Sequence, residues 1–529
     1  MRSNREAVLA GAISSLGRKY LLTLEATNCT SGKEVAAAKA VASSKEEVLA
    51  ALDSVADHVR RKLGESSKSM QSYQVPIVQA TTPSLEALQA YSIGDYLVSQ
   101  GKDENESLPL FQKAVELDPQ FAMAYGQIAN DFYSLGEIEK ASLYYAKAFQ
   151  LSTHVSEKEK LILGAHYYAE GKHDLENGIK TYTLWANTYP FDWPPLVNLC
   201  NQYTQLGNYG PAIDAGKRAL KLQPDRGITY SVLARAIMRD NRFFDAKAIG
   251  ALAKQRGKDS VGLHETLFEI AVYEQDSVAL SDEAQWATAH STGWYGWFYP
   301  YSEAEAKSMT GNFRQAEALF HTAYEIAKEQ RASESADDLL MDEARMELDF
   351  GFPALAKSTL QRIENRNPDV PDLAVLYARL GDTSAAQRYL AAYSSRTGDT
   401  QMIHIYLPKV RAALAMKQGK PLDAIAALEA ARPCELIDFS ILTARAEAYL
   451  QAKAPERAAK EYQIILAHPG LDPDSYLYAL AHLGLAQSFS LSGHAVESHA
   501  EYKAFLNAWK DADPDLPILK QAKAQTARL

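Results

Sequence analysis

The chain is predicted to be all-α: a solenoid of helical hairpins wound as a right-handed superhelix, behind a small and incomplete N-terminal α/β segment. Three observations lead there. Counting Trp193 as position 1, the stretch to Pro224 places Cys200, Ala212 and Ala219 at positions 8, 20 and 27, with Gly207 at position 15. Small residues at those spacings let two helices approach closely, Gly207 supplies the turn between them, and Pro224 ends the second helix. The pattern then returns at a step of 34 residues, where Leu233, Ala234, Phe243 and Ala246 repeat Leu199, Cys200, Tyr209 and Ala212. Finally, 529 residues are too many for one compact core. A solenoid escapes that limit because each hairpin packs only on its neighbours.

Taken in order, residues 1–67 read as a partial α/β module. Ala7–Ile13 is a short apolar run and Ser14–Gly17 a turn. Tyr20–Ala26 and the alanine-rich Glu34–Ala42 are strands, separated by a turn at Asn28–Lys33. Ser44 and Glu47 have the spacing of a capping box, ahead of a helix whose apolar stripe is Val48, Leu52, Val55, Val59 and Leu63. So little core, in a sheet that starts at the first residues, implies missing upstream elements. Residues 68–83, polar with two prolines, are a linker.

Residues 84–260 form a regular block. Phe111, Ala114 and Pro119 mark a looser first copy, and Ala122 opens a second that carries Ala129, Gly136, Ala141, Tyr145 and Ala148. Glu159 opens a third, with Gly178, Tyr182 and Pro190. Residues 261–529 are less regular. Ser277–His290 reads as one helix, followed by the aromatic run Trp294–Tyr301. The ladder resumes with Gly311, Phe313, Ala316, Phe320 and Ala323, and later units are marked by Gly351, Gly381, Gly419, Tyr449 and Leu485. About eleven hairpins result, closed by a helix from Ile518 to Leu529 that solvates the open end.

Net charge is −11; residues 1–68 carry +3 and the remainder −14. An acidic array without a basic stripe argues against nucleic-acid binding. No apolar run reaches the roughly 18 residues that span a membrane, and no signal peptide is present, so a cytoplasmic location is expected. Cys29, Cys200 and Cys434 form no close pair, and Cys200 at a small position reads as a buried thiol. No phosphate loop, H-E-x-x-H, G-x-S-x-G, H-R-D or D-F-G occurs, so neither catalysis nor a cofactor is expected. His166, His173, His494 and His499 lack the spacing of helical zinc ligands. Asp511–Asp515 lacks the glycine and glutamate of a calcium loop and reads as a turn with helix N-cap duty.

The ladder from Trp193 to Pro224 resembles the tetratricopeptide repeat, a helix–turn–helix unit of 34 residues. The resemblance implies that first helices line a concave face into which positions 2, 5 and 9 point. Position 9 holds Asn130, Tyr167, Asn201, Arg235, Glu269, Glu305 and Arg345. Of these, Asn130, Tyr167, Asn201 and Arg235 are the candidate contacts for a protein or peptide; a merely solvated face would be polar as well. Related domains grip a C-terminal carboxylate with a set of Lys, Asn and Arg positions, of which only Asn201 is matched. Trp294, Trp297 and Tyr301 are a secondary candidate, read either as a stacking site or as bulky filling of an irregular joint.

A broader resemblance rests on VLAGAISSLGRKYLLTLEATNCTSGK, TTPSLEALQAYSIGDYL, WANTYPFDWPPLVNLCNQYTQLGNY and FLNAWKDADPDLPILKQAK. These look like the non-catalytic C-terminal half of bacterial serine/threonine protein kinases with tetratricopeptide arrays. That implies an interaction scaffold or ligand-sensing array in signalling. The alternatives are the detached regulatory half of such a kinase, extracytoplasmic if it follows a membrane span, or the sensor half of a winged-helix transcription regulator.

Overall fold

The computed structural model describes residues 7–66, 70, 76–77, 81–99, 104–290, 295–363, 371–393 and 398–528. They fold as two compact units. One comprises the chain up to Ser134 together with Ile138–Gly171, the other Leu135–Glu137 and the chain from Lys172 onward.

The first unit opens with an antiparallel sheet ordered β1 (Ala7–Leu16), β2 (Lys19–Asn28), β3 (Glu34–Ala42). Helix α1 (Val48–Lys62) packs on it, with Leu22, Ala42, Val48 and Val55 at the centre of the core. Alanine is a weak strand former, but here it is what lets α1 lie close: Ala26 and Ala36 are buried beneath Val59. Two local expectations are corrected. Strand β1 runs through Ser14–Leu16, and the turn falls at Gly17, whose φ is +64°. The Ser44–Glu47 capping box does not form. Glu47 is itself the N-cap, and its carboxylate accepts from the Ser43 N–H at 2.9 Å.

Helices α2 (Leu85–Ser99), α3 (Glu104–Leu117), α4 (Ala122–Ser134), α5 (Ile138–Gln150) and α6 (Glu157–His166) complete this unit. Ala114, Ala122, Ala129, Ala141 and Ala148 are all buried where helices cross. The chain then winds one residue wide in a π-helical turn, Tyr167–Gly171.

The second unit continues in helix pairs. After a single helix, α7 (Leu175–Thr188), these are α8 (Pro194–Gln205) with α9 (Tyr209–Leu222) and α10 (Gly227–Arg239) with α11 (Phe243–Gln255). Next come α12 (Val261–Glu274) with α13 (Ser277–Ala289), α14 (Tyr295–Met309) with α15 (Phe313–Glu329), and α16 (Ser333–Phe350) with α17 (Pro353–Leu360). The last pairs are α18 (Pro371–Leu380) with α19 (Thr383–Tyr393), α20 (Leu407–Lys417) with α21 (Pro421–Leu428), α22 (Phe439–Gln451) with α23 (Pro455–Ala467), and α24 (Tyr476–Leu491) with α25 (Ala495–Ala508). Helix α26 (Pro517–Thr526) ends the described chain. Cys200, Ala212, Ala219, Ala234 and Ala246 are all fully buried at the crossings. Gly207 makes its turn at φ +69°.

Hairpin turns far apart in sequence meet within this unit. The Thr400 N–H donates to the His173 carbonyl at 2.9 Å, and the Leu175 N–H to Thr400 Oγ1 at 3.2 Å. Tyr209, at a position expected to fill space between neighbours, donates its hydroxyl to the Leu436 carbonyl, 227 residues on. Asn241 grips the next contact from both sides: Oδ1 accepts from the Gly470 N–H at 2.7 Å, and Nδ2 donates to the Ala467 carbonyl at 3.1 Å. Gly470 is required there, because a Cβ would fall well inside contact with the Met238 carbonyl oxygen. Tyr273 packs edge-on against Tyr478 at 5.7 Å. With separations of 225 to 229 residues at the hydrogen-bonded contacts, successive turns of the superhelix stack on one another.

The acidic turn Asp511–Asp515 caps a helix, but a distant one, the N-terminus of α15 rather than that of α26. Asp513 accepts from the Arg314 N–H at 2.9 Å, and Asp515 accepts from the Arg314 guanidinium at 2.7 Å. Helix α26, whose N-cap is Leu516, buries Leu519 and Ala522 in the large core that also holds Phe313, Phe350 and Trp509. No helix among the described residues is long and apolar enough to cross a membrane.

Candidate functional site

The first helices of the later hairpins in the second unit carry a ladder of their own. Arg345, Arg379, Ala413 and Glu447 stand 34 residues apart, as do Val375, Lys409, Thr443 and Leu477. So do Asp338, Asp372, Tyr406, Ser440 and Asp474. The first two series, with Asp372 and Ser440 of the third, line a cavity of about 400 Å³ formed by α16, α18, α20, α22 and α24. Leu348, Val375, Leu376, Ala412, Ala413, Met416 and Leu477 give it an apolar wall; Arg345, Asp349, Asp372, Arg379, Lys409 and Glu447 give it charge.

Those charges are organised. Lys409, only 7% exposed, donates to Asp438 at 2.8 Å and reaches Asp372 at 3.5 Å. Burial opposes its charge, but the two carboxylates hold its pKa above the ordinary lysine value. Burial also opposes the charge of Asp438, yet Lys409 and the Ser440 N–H keep it down at about 2. Arg345 bridges Asp342 and Asp372, and Arg379 pairs with Asp349, which also accepts from the Tyr476 hydroxyl at 2.8 Å. Fixed charges beside an apolar lining favour a ligand that presents both kinds of group.

The residues singled out from the sequence fall in both units. In the first unit, Asn130 accepts from the Tyr145 hydroxyl and donates to Gln127, both at 2.8 Å. Tyr167 sits in the π-helical turn with its ring stacked on Phe149 at 4.2 Å between centroids. In the second unit, Asn201 is half-buried on α8, and Arg235 on α10 is ion-paired with Glu265. Trp294 lies outside the described residues. Trp297 and Tyr301 pack against the core around Tyr324, Leu340 and Leu373, and burial drives the Tyr301 phenol far above its ordinary pKa. Cys200 is fully buried with Sγ against the Val232 carbonyl at 3.3 Å, its thiol pushed up to about 12 by burial. No group of three or more His, Cys, Asp or Glu among the described residues is arranged to hold a metal ion.

Helix pairs with buried small residues at their crossings and first helices lining an inner cavity define the class: the fold is a tetratricopeptide-type α-solenoid with a small N-terminal three-stranded sheet. Consistent with this, the chain is 28% identical over 163 residues to a TPR repeat-containing protein of Methanocaldococcus jannaschii. The match spans 29% of this chain and 28% of that relative's length. No family model matches the chain.

Proposed function

We propose that this protein is a non-catalytic interaction scaffold whose second unit receives a polypeptide segment on the inner face of its first helices. The observation that supports this most directly is the cavity of about 400 Å³ bounded by five consecutive first helices and lined by both apolar and charged side chains. An extended peptide or short helix matches such a surface, because side chains at regular intervals meet repeated positions of successive hairpins. Asn201 and Arg235 on earlier first helices of this unit would extend the contact; Asn130 and Tyr167 are separate candidate polar and aromatic contacts of the first unit by itself. A role in bacterial signalling beside a serine/threonine kinase rests on the sequence resemblance alone.

The test fills the cavity. Ala413→Trp and Ala444→Trp each place an indole where the lining side chain is only half-buried, so the helices need not separate. Both variants should retain native helical content and lose at least tenfold in affinity for a partner peptide. Asn201→Ala, Arg235→Ala should weaken the same interaction by about 0.5–2 kcal/mol per residue. Full affinity in the two tryptophan variants would place the binding surface elsewhere.

A further inference from the structure

Beside the cavity, the inner face of the second unit changes character. Glu265 and Glu269 on α12, Glu305 on α14, Asp338 and Asp342 on α16, and Asp472 and Asp474 ahead of α24 lie near enough for their charges to act on one another in succession, forming one acidic arc. Three arginines face this arc: Arg235, Arg239 and Arg345. Arg235 is taken up by Glu265, and Arg345 by Asp342 and Asp372. Arg239 feels the charges of Glu269 and Asp472, yet its Nε is buried without a hydrogen-bond partner. No Lys, Arg or His among the described residues forms an ion pair with Glu269, Glu305, Asp338, Asp472 or Asp474.

Two of these carboxylates are not merely solvated surface charges. Asp474 is 9% exposed, and no cation or hydroxyl of another described residue bonds its side chain. The groups whose charges act on it are Glu269, Asp472 and Glu305, so it is aimed into the arc. Independently, Oε2 of Glu269 is fully buried and has no hydrogen-bond donor. Burying that Glu269 oxygen without a donor costs about 1–3 kcal/mol. A fold keeps that deficit where a ligand supplies the missing donors. No group of three or more of these carboxylates is arranged to hold a metal ion, whereas the several N–H donors of an ammonium or guanidinium can each meet a different acceptor.

We propose that this arc binds the cationic groups of a basic polypeptide, a lysine or arginine side chain inserting among Glu269, Glu305 and Asp474 while a neighbouring apolar residue fills the cavity. The inference rests on the polypeptide-binding reading above and adds the sign of the ligand's charge. A polyamine carries the same alkylammonium chemistry without the apolar residue, and the test separates the two sources.

Three labelled peptides of one length, alternating leucine with lysine, glutamine or glutamate, would be titrated into the full chain by fluorescence anisotropy, and spermine would be titrated separately. The lysine peptide should bind at least tenfold more tightly than the glutamine peptide, the glutamate peptide more weakly than either, and added salt should narrow the differences. Glu269→Gln, Asp474→Asn keeps side-chain shape, and it should cut lysine-peptide affinity at least tenfold while leaving glutamine-peptide affinity unchanged. Removing two repelling carboxylates should also raise the melting temperature, so lost binding would not reflect unfolding. Equal binding of all three peptides would overturn the charge assignment and leave the polypeptide-binding reading standing. Spermine binding lost in the double variant, with no binding of any peptide, would overturn the polypeptide as occupant. Undiminished lysine-peptide binding by the double variant would remove the site from this arc.

Discussion

Replacing Gly470 by alanine tests whether successive turns of the superhelix are joined. The new Cβ would lie 2.9 Å from Asn241 Oδ1 and 3.0 Å from the Asn241 backbone nitrogen, and nearer still to the Met238 carbonyl oxygen. Two of those three atoms are backbone, so no side-chain rotation relieves the clash and the turns must move apart. Separation breaks the bonds of Asn241 to Gly470 and Ala467, at about 0.5–1.5 kcal/mol each. Overpacking adds about 1–3 kcal/mol, for a total of about 2–6 kcal/mol. Asn241→Gly is the companion change. The native φ of +60° suits glycine, so only the two hydrogen bonds are lost, about 1–3 kcal/mol. Urea unfolding followed by circular dichroism measures both. Because the substitutions strike one contact, their effects should fall short of adding in the double variant. A wild-type midpoint for Gly470→Ala, or full additivity, would refute the stacking of turns at this point.

Ala212→Leu and Ala246→Leu should each destabilise by about 1–3 kcal/mol, since both alanines are fully buried at helix crossings; unchanged melting curves would show the crossings to be misplaced. Stability should also fall as pH rises from about 4 to 8. Burial pushes the carboxyl of Glu347 up to about 8 and that of Asp131 up to about 7. Both take up protons on folding, so their contribution is fully present below their unfolded pKa values near 4 and is lost as pH passes the folded values. Glu347→Gln should reduce the difference in melting temperature between pH 5.5 and pH 8, and an unaltered difference would remove Glu347 as a source of it.

Local packing was legible in the sequence because it depends on neighbours. Cys200, Ala212, Ala219, Ala234 and Ala246 were read as close-approach positions from spacing alone, and each is fully buried. Contacts between successive turns were not legible. Tyr209 and Asn241 bond partners 226 to 229 residues away, and nothing in either hairpin names the other. The acidic turn Asp511–Asp515 reads as a turn with helix N-cap duty, and Asp513 does meet a first-turn N–H, but that of α15, about 200 residues upstream and not named by local sequence. Glu47 misled differently: S-x-x-E spacing is satisfied in sequence, but helix α1 starts later and the carboxylate finds Ser43 instead. The inner face was half visible. Arg345 was identified at position 9, yet its continuation through Arg379, Ala413 and Glu447 was obscured. Helices α17 and α21 are only 8 residues long, so the small-residue ladder of the second helices breaks there while that of the first helices continues.

The most direct test of the central claim is site-specific photo-crosslinking from the inner face. A photoreactive phenylalanine analogue at Ala413, which lines the cavity, would be compared with one at Arg411, an exposed position of the same helix outside it. Each would be irradiated with the lysine-containing peptide, and the products mapped by mass spectrometry. Binding in the channel predicts a peptide adduct from position 413, little from position 411, and loss of the adduct in the Ala444→Trp background. Equal adducts from both positions, or an adduct that survives the filled cavity, would contradict it.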